Sequence, residues 1–552
     1  MMTPRHPLFA LSLLAAATAV AQDKPDDRPA FWRERAERRA VVQDTKLLET
    51  VRAAVTWLRE HQEEDGHWDA EAFMQRDPEG DRCDGAGKGK YSVGVTALAL
   101  LAMLAQADPL LDEPCHQAAD WLVMQLDENG RVPGETNDFV YMQVLTTLAL
   151  TEAAALFDRA DYRGSAAACL ENLERHRNRG AAWRYQPQDG DNDTSITAWC
   201  ITALVTGMQT GLDADATAVG EAIAWLDSRT NDAGSCGYTW RDEFSSRMAG
   251  DHAARFPAAL GAAVTASALH ARFAAGLSPD DKLAKLAAGQ IETRPPKWDA
   301  QAIDYYYWLQ ASMALAQMPG SREQRSWCGA VQRVLLEHQR LVGAAKGSWD
   351  PIDVWGSEGG RVYATASCVL TLSHAWRCGS LDVMLSIPDE PTFQAVRAAW
   401  QDGLLAAAIT ALDKVPPLTL TTAQKAVVRR VRWYIEVEVA RAVRTLAALE
   451  QLYPGVLAQR DAAKALVRRY AGLPIGDEAK KRLTELNSDP RIKAEEAAQK
   501  ELAKLRPAYD NAVRSSSLTQ KAKVRDQLYE IIRKYTNTQA AQEANNLLKW
   551  VQ

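Results

Sequence analysis

Between residues 45 and 380 the chain alternates two helical patterns. Stretches that begin near Thr45, Pro114, Tyr162, Asp215, Asp280 and Ser321 carry an apolar stripe. Trp57-Leu58, Trp121-Leu122, Trp225-Leu226 and Val334-Leu335 are examples of its large apolar pairs. The intervening stretches, 93–105, 139–156, 194–208, 259–273, 303–318 and 361–376, are apolar nearly all round and rich in Ala, Gly, Ser and Thr. A helix with one apolar stripe keeps its other side in water, whereas a helix apolar all round is buried on most sides. The pair recurs about every 50–60 residues, the signature of stacked helical hairpins. Six hairpins of this kind predict two concentric layers that close into an (α/α)6 toroid. Closure removes the exposed ends that an open solenoid must cap.

Gly/Trp loops join the two helices of a hairpin. They include Gln62–Trp68, Gln125–Gly130, Gly180–Gly190, Gly234–Trp240 and Gly347–Trp349. Glycine permits the left-handed turn that ends a helix. The stretch Ala181–Leu204, AAWRYQPQDGDNDTSITAWCITAL, joins a Gly/Trp turn to an acidic loop and then to a helix entered through Asp193, Thr194 and Ser195. These three types cap helices because their oxygens accept the free N–H groups of the first turn. After Pro388 and Pro391 the pattern changes. Residues 386–552 form Glu-, Lys-, Ala- and Arg-rich helices with few glycines, and 529–548 resembles a tetratricopeptide hairpin. The expected class is therefore all-α: a toroid over 45–380, then a C-terminal helical, tetratricopeptide-like module suited to a protein partner.

The loop HQEEDGHW after TWLRE resembles the Gln-Trp repeat of the terpenoid cyclase and protein prenyltransferase α/α-toroid superfamily. WRYQPQDGDNDTSITAWCITAL and GSWDPIDVWGSEGGRVYATASCVLTL (347–372) resemble its exported bacterial members, known as squalene-cyclase-like or prenyltransferase-repeat proteins. The resemblance covers roughly residues 45–380 and implies the toroid fold; one fold hosts many functions. Cyclases of this superfamily protonate an alkene through an Asp-x-Asp-Asp-Thr motif. Aligned on its Thr, this chain reads Gly190-Asp191-Asn192-Asp193-Thr194, with Asn192 at the proton-donor position. Prenyltransferases hold zinc through Asp, Cys and His, whose places fall on Ala302, Asp304 and Ala364. Asp81-Arg82-Cys83 has the Asp-x-Cys spacing but lies in the first loop and lacks a matching His. The Cys-Gly-Glu-Gln motif of complement-like thioester domains is absent.

Composition refines this picture. With 552 residues the chain exceeds one ordinary core, and 47% hydrophobic with 24% charged residues is a globular balance. Residues 1–21 have the form of a secretory signal: a basic start, the apolar run Leu8–Val20 and an Ala19-Val20-Ala21 cleavage site. An exported, periplasmic or extracellular protein is expected, with a charged lead-in over 22–44 and no later membrane-spanning segment. The part after Ser380 carries a net charge of about +7, leaving about −14 for the rest. A solvated face of mixed charge, rather than a nucleic-acid interface, is the reading of that basic tail. All eight Cys precede Ser380. Cys83 and Cys236, in loops, are the candidates for bridging, and no Cys/His spacing suggests zinc. No cofactor or metal is expected, and His61 and His67 are not read as ligands.

In a toroid the inner helices run parallel, so their N-termini gather at one mouth. Asp138, Asp193, Asp304 and Glu358 fall at those starts. Caps are the simple reading; a carboxylate cluster for acid/base work is the other. Tyr141, Thr194, Trp199, Tyr305, Tyr306, Tyr307, Arg361 and Tyr363 lie nearby and complete the expected cavity set. Aromatic faces suit apolar chains, sugars or cations. The leading expectation is a non-catalytic binding or scaffold protein whose cavity takes an apolar, glycan or peptide ligand. The alternatives are an enzyme acting on a terpenoid-like or glycan substrate, with Asp193, Asp138 or Asp304 as acid or base, and a structural envelope protein.

Overall fold

The computed structural model describes residues 28–134, 139–248, 250–453, 455–515 and 517–551. The expected signal over 1–21 and the candidate Asp138 lie outside the described residues. Helices between Thr45 and Leu372 alternate between two layers. The outer ones are α2 (Thr45–Glu60), α4 (Asp112–Met124), α6 (Ala160–His176), α8 (Ala216–Arg229), α11 (Lys282–Glu292) and α13 (Arg322–His338). The inner ones are α3 (Ser92–Leu104), α5 (Phe139–Phe157), α7 (Thr194–Gln209), α10 (Ala263–Ala274), α12 (Tyr305–Leu315) and α14 (Gly356–Leu372). A one-turn helix, α9 (His252–Arg255), lies in the loop before α10. Each inner helix packs on the next, and α14 packs back on α3. The ring is closed, and the fold is an all-α toroid. Among the described residues the only β pairing is one isolated bridge, Thr230 with Cys236.

Local chemistry places these helices. Asp44, Asp193, Asp215, Asp281, Asp304 and Ser321 each accept a first-turn N–H at a helix start. In the Gly/Trp loops one arrangement recurs. The indole N–H groups of Trp68, Trp183 and Trp349 donate to Leu58, Leu173 and Leu335 in the outer helix of the same hairpin. Threonines of the inner helices (Thr96, Thr197, Thr265 and Thr365) accept from the backbone N–H of Trp68, Trp183, Cys236 and Trp349. The glycine meets the neighbouring hairpin. At Gly347 φ is +97°, and a Cβ there would lie 2.4 Å from the Ala53 carbonyl of α2. That contact joins the last hairpin to the first. Gln339 bridges the same junction, donating to Thr50 O at 2.8 Å and Gly347 O at 2.7 Å.

Inner helix α10 begins later than its apolar run suggests, and α14 is broken where its run begins. Pro257 and Gly261 confine 258–260 to a 3-10 turn, so α10 starts at Ala263. At Gly360 φ is +67°, which breaks α14 just before Arg361. Helix α5 corrects the expectation that no later stretch could span a membrane. By length and composition it could, but it is buried within the ring.

The lead-in is packed on the ring. Its helix α1 (Ala30–Ala40) packs on α5 and on the turn His374–Arg377, at the end of the ring where inner helices finish. Arg35, Arg38 and Arg39 donate to the carbonyls of Leu104, Trp376 and Gln106. Cations at helix C-termini offset the negative end of the dipole. Arg35 also meets Glu152 at 2.8 Å, and Arg377 closes the triad at 2.6 Å. All three side chains are buried.

The C-terminal region is helical throughout its described elements. Its longest helix, Thr422–Ala447, lies along α8. Trp433, Tyr434 and Val437 enter the toroid core, while Val431, Ile435 and Ala442 join a separate core with Ile387–Ile475. Gly220 of α8 permits this approach, since a Cβ there would lie 2.4 Å from Val437 O. The helices Pro490–Arg514, Leu518–Lys534 and Gln539–Leu547 share a further core.

Candidate functional site at the toroid mouth

A cavity of about 250 Å³ opens among the inner-helix N-termini. Helices α3, α5, α7, α12 and α14 contribute Val95, Leu98, Tyr141, Met142, Leu145, Trp199, Tyr306, Leu309 and Tyr363 to its wall. In place of α10, the segment between α8 and α10 supplies Tyr238 and Ser245–Met248. This segment is pinned across the mouth by His252, whose Nε2 lies 2.8 Å from Val354 O. Trp355 and Glu358 complete the rim, and Glu358 pairs with Lys88 at 2.5 Å.

Asp193 is wholly buried beside the cavity. Its Oδ1 accepts Ile196 N–H at 2.9 Å and its Oδ2 accepts the Tyr238 hydroxyl at 3.3 Å. Arg184 lies 3.7 Å away. Burial outweighs these partners and pushes the carboxyl up to about 7. Thus Asp193 is a cap that sits between its two protonation states near neutral pH. The residues before it face outward: Asp189 and Asp191 are exposed, and Asn192 accepts Ala182 N–H at 2.9 Å. Neither Asp189 nor Asp191 lines the cavity.

Asp353, not among the residues expected from the sequence, lies in the loop before α14 and packs against the N-terminus of α12. Its Oδ2 accepts Tyr305 N–H and the Tyr363 hydroxyl, both at 3.2 Å. Its Oδ1 is buried without a hydrogen-bond partner. Burial first, and then the charge of Asp304, pushes its carboxyl up to about 8, so it is protonated at neutral pH. Asp304 caps Tyr307 N–H at 2.8 Å and meets Arg247 at 3.3 Å. Burial raises its pKa while Arg247 opposes the rise. One of two neighbouring carboxyls therefore has a guanidinium partner and the other does not. The WDPIDVWG loop was the only available signal for Asp353, and its acids read as ordinary loop residues.

Of the expected cavity set, Tyr141, Trp199, Tyr306, Glu358 and Tyr363 line the wall, and Asp193 and Asp304 lie behind it. Thr194, Tyr305, Tyr307 and Arg361 are corrections, because each is spent on tertiary hydrogen bonds. Thr194 donates to Gly237 O at 2.6 Å, Tyr305 to Asp350 O at 3.0 Å and Tyr307 to Arg294 O at 2.9 Å. Arg361 pairs with Asp84 and Asp350. The bridging candidates Cys83 and Cys236 are free and buried. Lining residues not foreseen include Tyr91, Tyr185, Tyr238, Arg247 and Trp355. Several come from loops whose path follows no helical period.

Fold and site together define an α/α-toroid protein with an aromatic mouth cavity backed by buried carboxyls. No family model and no curated sequence matches the chain. It is similar to the solved structure of the apo type II terpene cyclase MstE from Scytonema, with TM-score 0.39 and 16% identity, covering 60% of this chain and 98% of that one. It is also similar to an α-1,6-mannanase of Salegentibacter sp. in complex with α-1,6-mannotriose, with TM-score 0.41 and 10% identity, covering 59% and 99%. Both are α/α-toroid proteins.

Proposed function

We propose that this is an exported binding protein whose toroid mouth takes a mainly apolar small molecule bearing a hydroxyl or carbonyl. The observation that carries this reading is the wall itself. Aliphatic and aromatic side chains form most of it, and tyrosines supply a few hydroxyls. Pockets of this composition hold apolar bodies and fix them through a few polar contacts. The C-terminal helices, with their separate cores, are proposed to engage a protein partner. The test is extraction and mass spectrometry of whatever co-purifies, with binding of an apolar fluorophore to the emptied protein. Leu98→Trp fills the cavity and is expected to weaken fluorophore binding about tenfold or more while the circular dichroism is unchanged. Recovery of a glycan or peptide, with no apolar binding, overturns the reading.

A second reading, an enzyme using acid catalysis, is favoured by Asp353. A carboxyl protonated at neutral pH lies one hydroxyl from the cavity; with the Tyr363 hydroxyl turned to accept the Asp353 proton and donate its own to a bound substrate, the pair can act as an acid. Turnover of a co-purified compound that Tyr363→Phe abolishes, with binding retained, supports this reading over simple binding. Export is tested by fractionation of the native host, where retention in the cytoplasm removes that part of the proposal.

A further inference from the structure

Away from the cavity, three donors of different chemistry meet at the junction of the first hairpin with the last. His61 lies at the C-terminal cap of α2, and Asp77 and Cys83 lie in the loop after the 3-10 turn Phe73–Arg76. All three are buried. His61 Nε2 lies 2.9 Å from Asp77 Oδ1, and Cys83 Sγ lies 2.8 Å from Asp77 Oδ2 and 3.6 Å from His61 Nε2. The donor atoms fall within 4.8 Å of one another.

The other ring nitrogen decides what this group can do. His61 Nδ1 lies 2.8 Å from the Trp57 carbonyl. A carbonyl only accepts, so Nδ1 carries the hydrogen. Nε2 then faces an Asp77 carboxylate oxygen, a position that a proton fills in an imidazolium–carboxylate pair and that a cation fills when one is bound. An Nδ1–H bonded to a backbone carbonyl is the outer-shell contact that fixes a metal-binding imidazole. Stacking on Trp57, with centroids 4.1 Å apart, holds the ring in that pose. The sulfur-to-nitrogen separation matches a tetrahedral ion, while the Asp77 oxygens, 2.9 Å from the nitrogen and 2.8 Å from the sulfur, must move outward to share it. Zinc bonds of about 2.3 Å to sulfur and about 2.0–2.1 Å to nitrogen span about 3.6 Å at the tetrahedral angle.

We propose that His61, Asp77 and Cys83 bind a zinc-class divalent cation, with the second Asp77 oxygen as the fourth donor. Closed coordination by a thiolate, an imidazole and a carboxylate marks a structural rather than a catalytic ion. Its place explains the use. Directly after Cys83, Asp84 and Gly85 accept from Arg361, and Lys88 N–H donates to Glu358 O. The ion fastens the segment that ties the first hairpin to the start of α14. It departs from the sequence expectation at two points: Asp77 rather than Asp81 supplies the carboxylate beside Cys83, and His61, not expected as a ligand, supplies the imidazole.

The test uses tag-free full-length protein purified from zinc-supplemented culture. The expected result is about one zinc per chain after gel filtration in metal-free buffer, and a lower melting temperature after chelation. Exchange with Co²⁺ should give a thiolate charge-transfer band in the near ultraviolet. Cys83→Ser should lose that band, and His61→Gln should bind Co²⁺ at least about tenfold more weakly. Absence of zinc uptake, or a wild-type Co²⁺ complex without the thiolate band, overturns the proposal whether or not the variants fold. Metal content and spectra unchanged in both variants mean an adventitious ion only, and also overturn it.

Discussion

At the base of the ring α1 delivers Arg35 to Glu152, and Arg377 reaches the same carboxylate from the far side. At the mouth Asp353 keeps one oxygen without a partner, and Asp193 has only a distant guanidinium. Both ends bury carboxyls in the same toroid. At the base burial pushes Glu152 up, but Arg377 and Arg35 outweigh it and hold the carboxyl below its usual range. At the mouth burial wins, and Asp193 and Asp353 titrate near 7 and 8. The difference follows from helix direction and from which loops cover each end. Carbonyls at the base attract the arginines of α1. The mouth is covered by apolar and aromatic side chains and leaves Asp193 and Asp353 under-compensated, while Asp304 keeps Arg247. A paired base holds the ring together, whereas an under-paired mouth is where binding or proton transfer is to be found.

The contrast can be broken at its strongest point first. Glu152→Ala strands two buried arginines and is expected to cost about 3–5 kcal/mol in urea unfolding. A loss under about 1 kcal/mol would mean that the triad does not hold the base. The mouth acids come next. Their folded pKa values lie above the unfolded value of 3.8, so their contribution is fully present below pH 3.8 and is lost as pH rises through about 7 and about 8. Stability should fall across that window, by up to about 4 kcal/mol for Asp193 and about 6 kcal/mol for Asp353. Asp193→Asn keeps an equally good cap and should flatten the part of the slope that ends near pH 7. An unchanged slope would show that Asp193 is solvated.

Smaller effects sharpen the comparison at the ring junction. Gly347→Ala places a methyl against Ala53 O at a positive φ and should cost about 1–3 kcal/mol, read from the unfolding midpoint. The same change at Gly190, where nothing lies within 4 Å, tests backbone strain alone. Lys88→Ala removes an exposed ion pair with Glu358 at the rim and should change stability by less than about 1 kcal/mol. A larger loss would show that the rim pair, like the base, is structural.

Periodicity and cap chemistry determined the helical hairpins, their layers and their starts. Thr45 opens α2, and Asp193, Asp215 and Ser321 each cap a helix because a short polar side chain satisfies a free N–H using only local geometry. Apolarity all round placed α3, α5 and α7 inside because no orientation of such a helix can face water. Tertiary structure alone decided the rest. Tyr305, Tyr306 and Tyr307 are neighbours of one type, yet only Tyr306 reaches the cavity, because successive helical residues point about 100° apart and the ring fixes which of them faces in. Asp353 becomes a neutral acid through burial against Asp304, two residues far apart in sequence that no local pattern links. The arginines of α1 read only as a charged lead-in because the carbonyls they meet, at Leu104, Gln106 and Trp376, are assembled only when the ring closes.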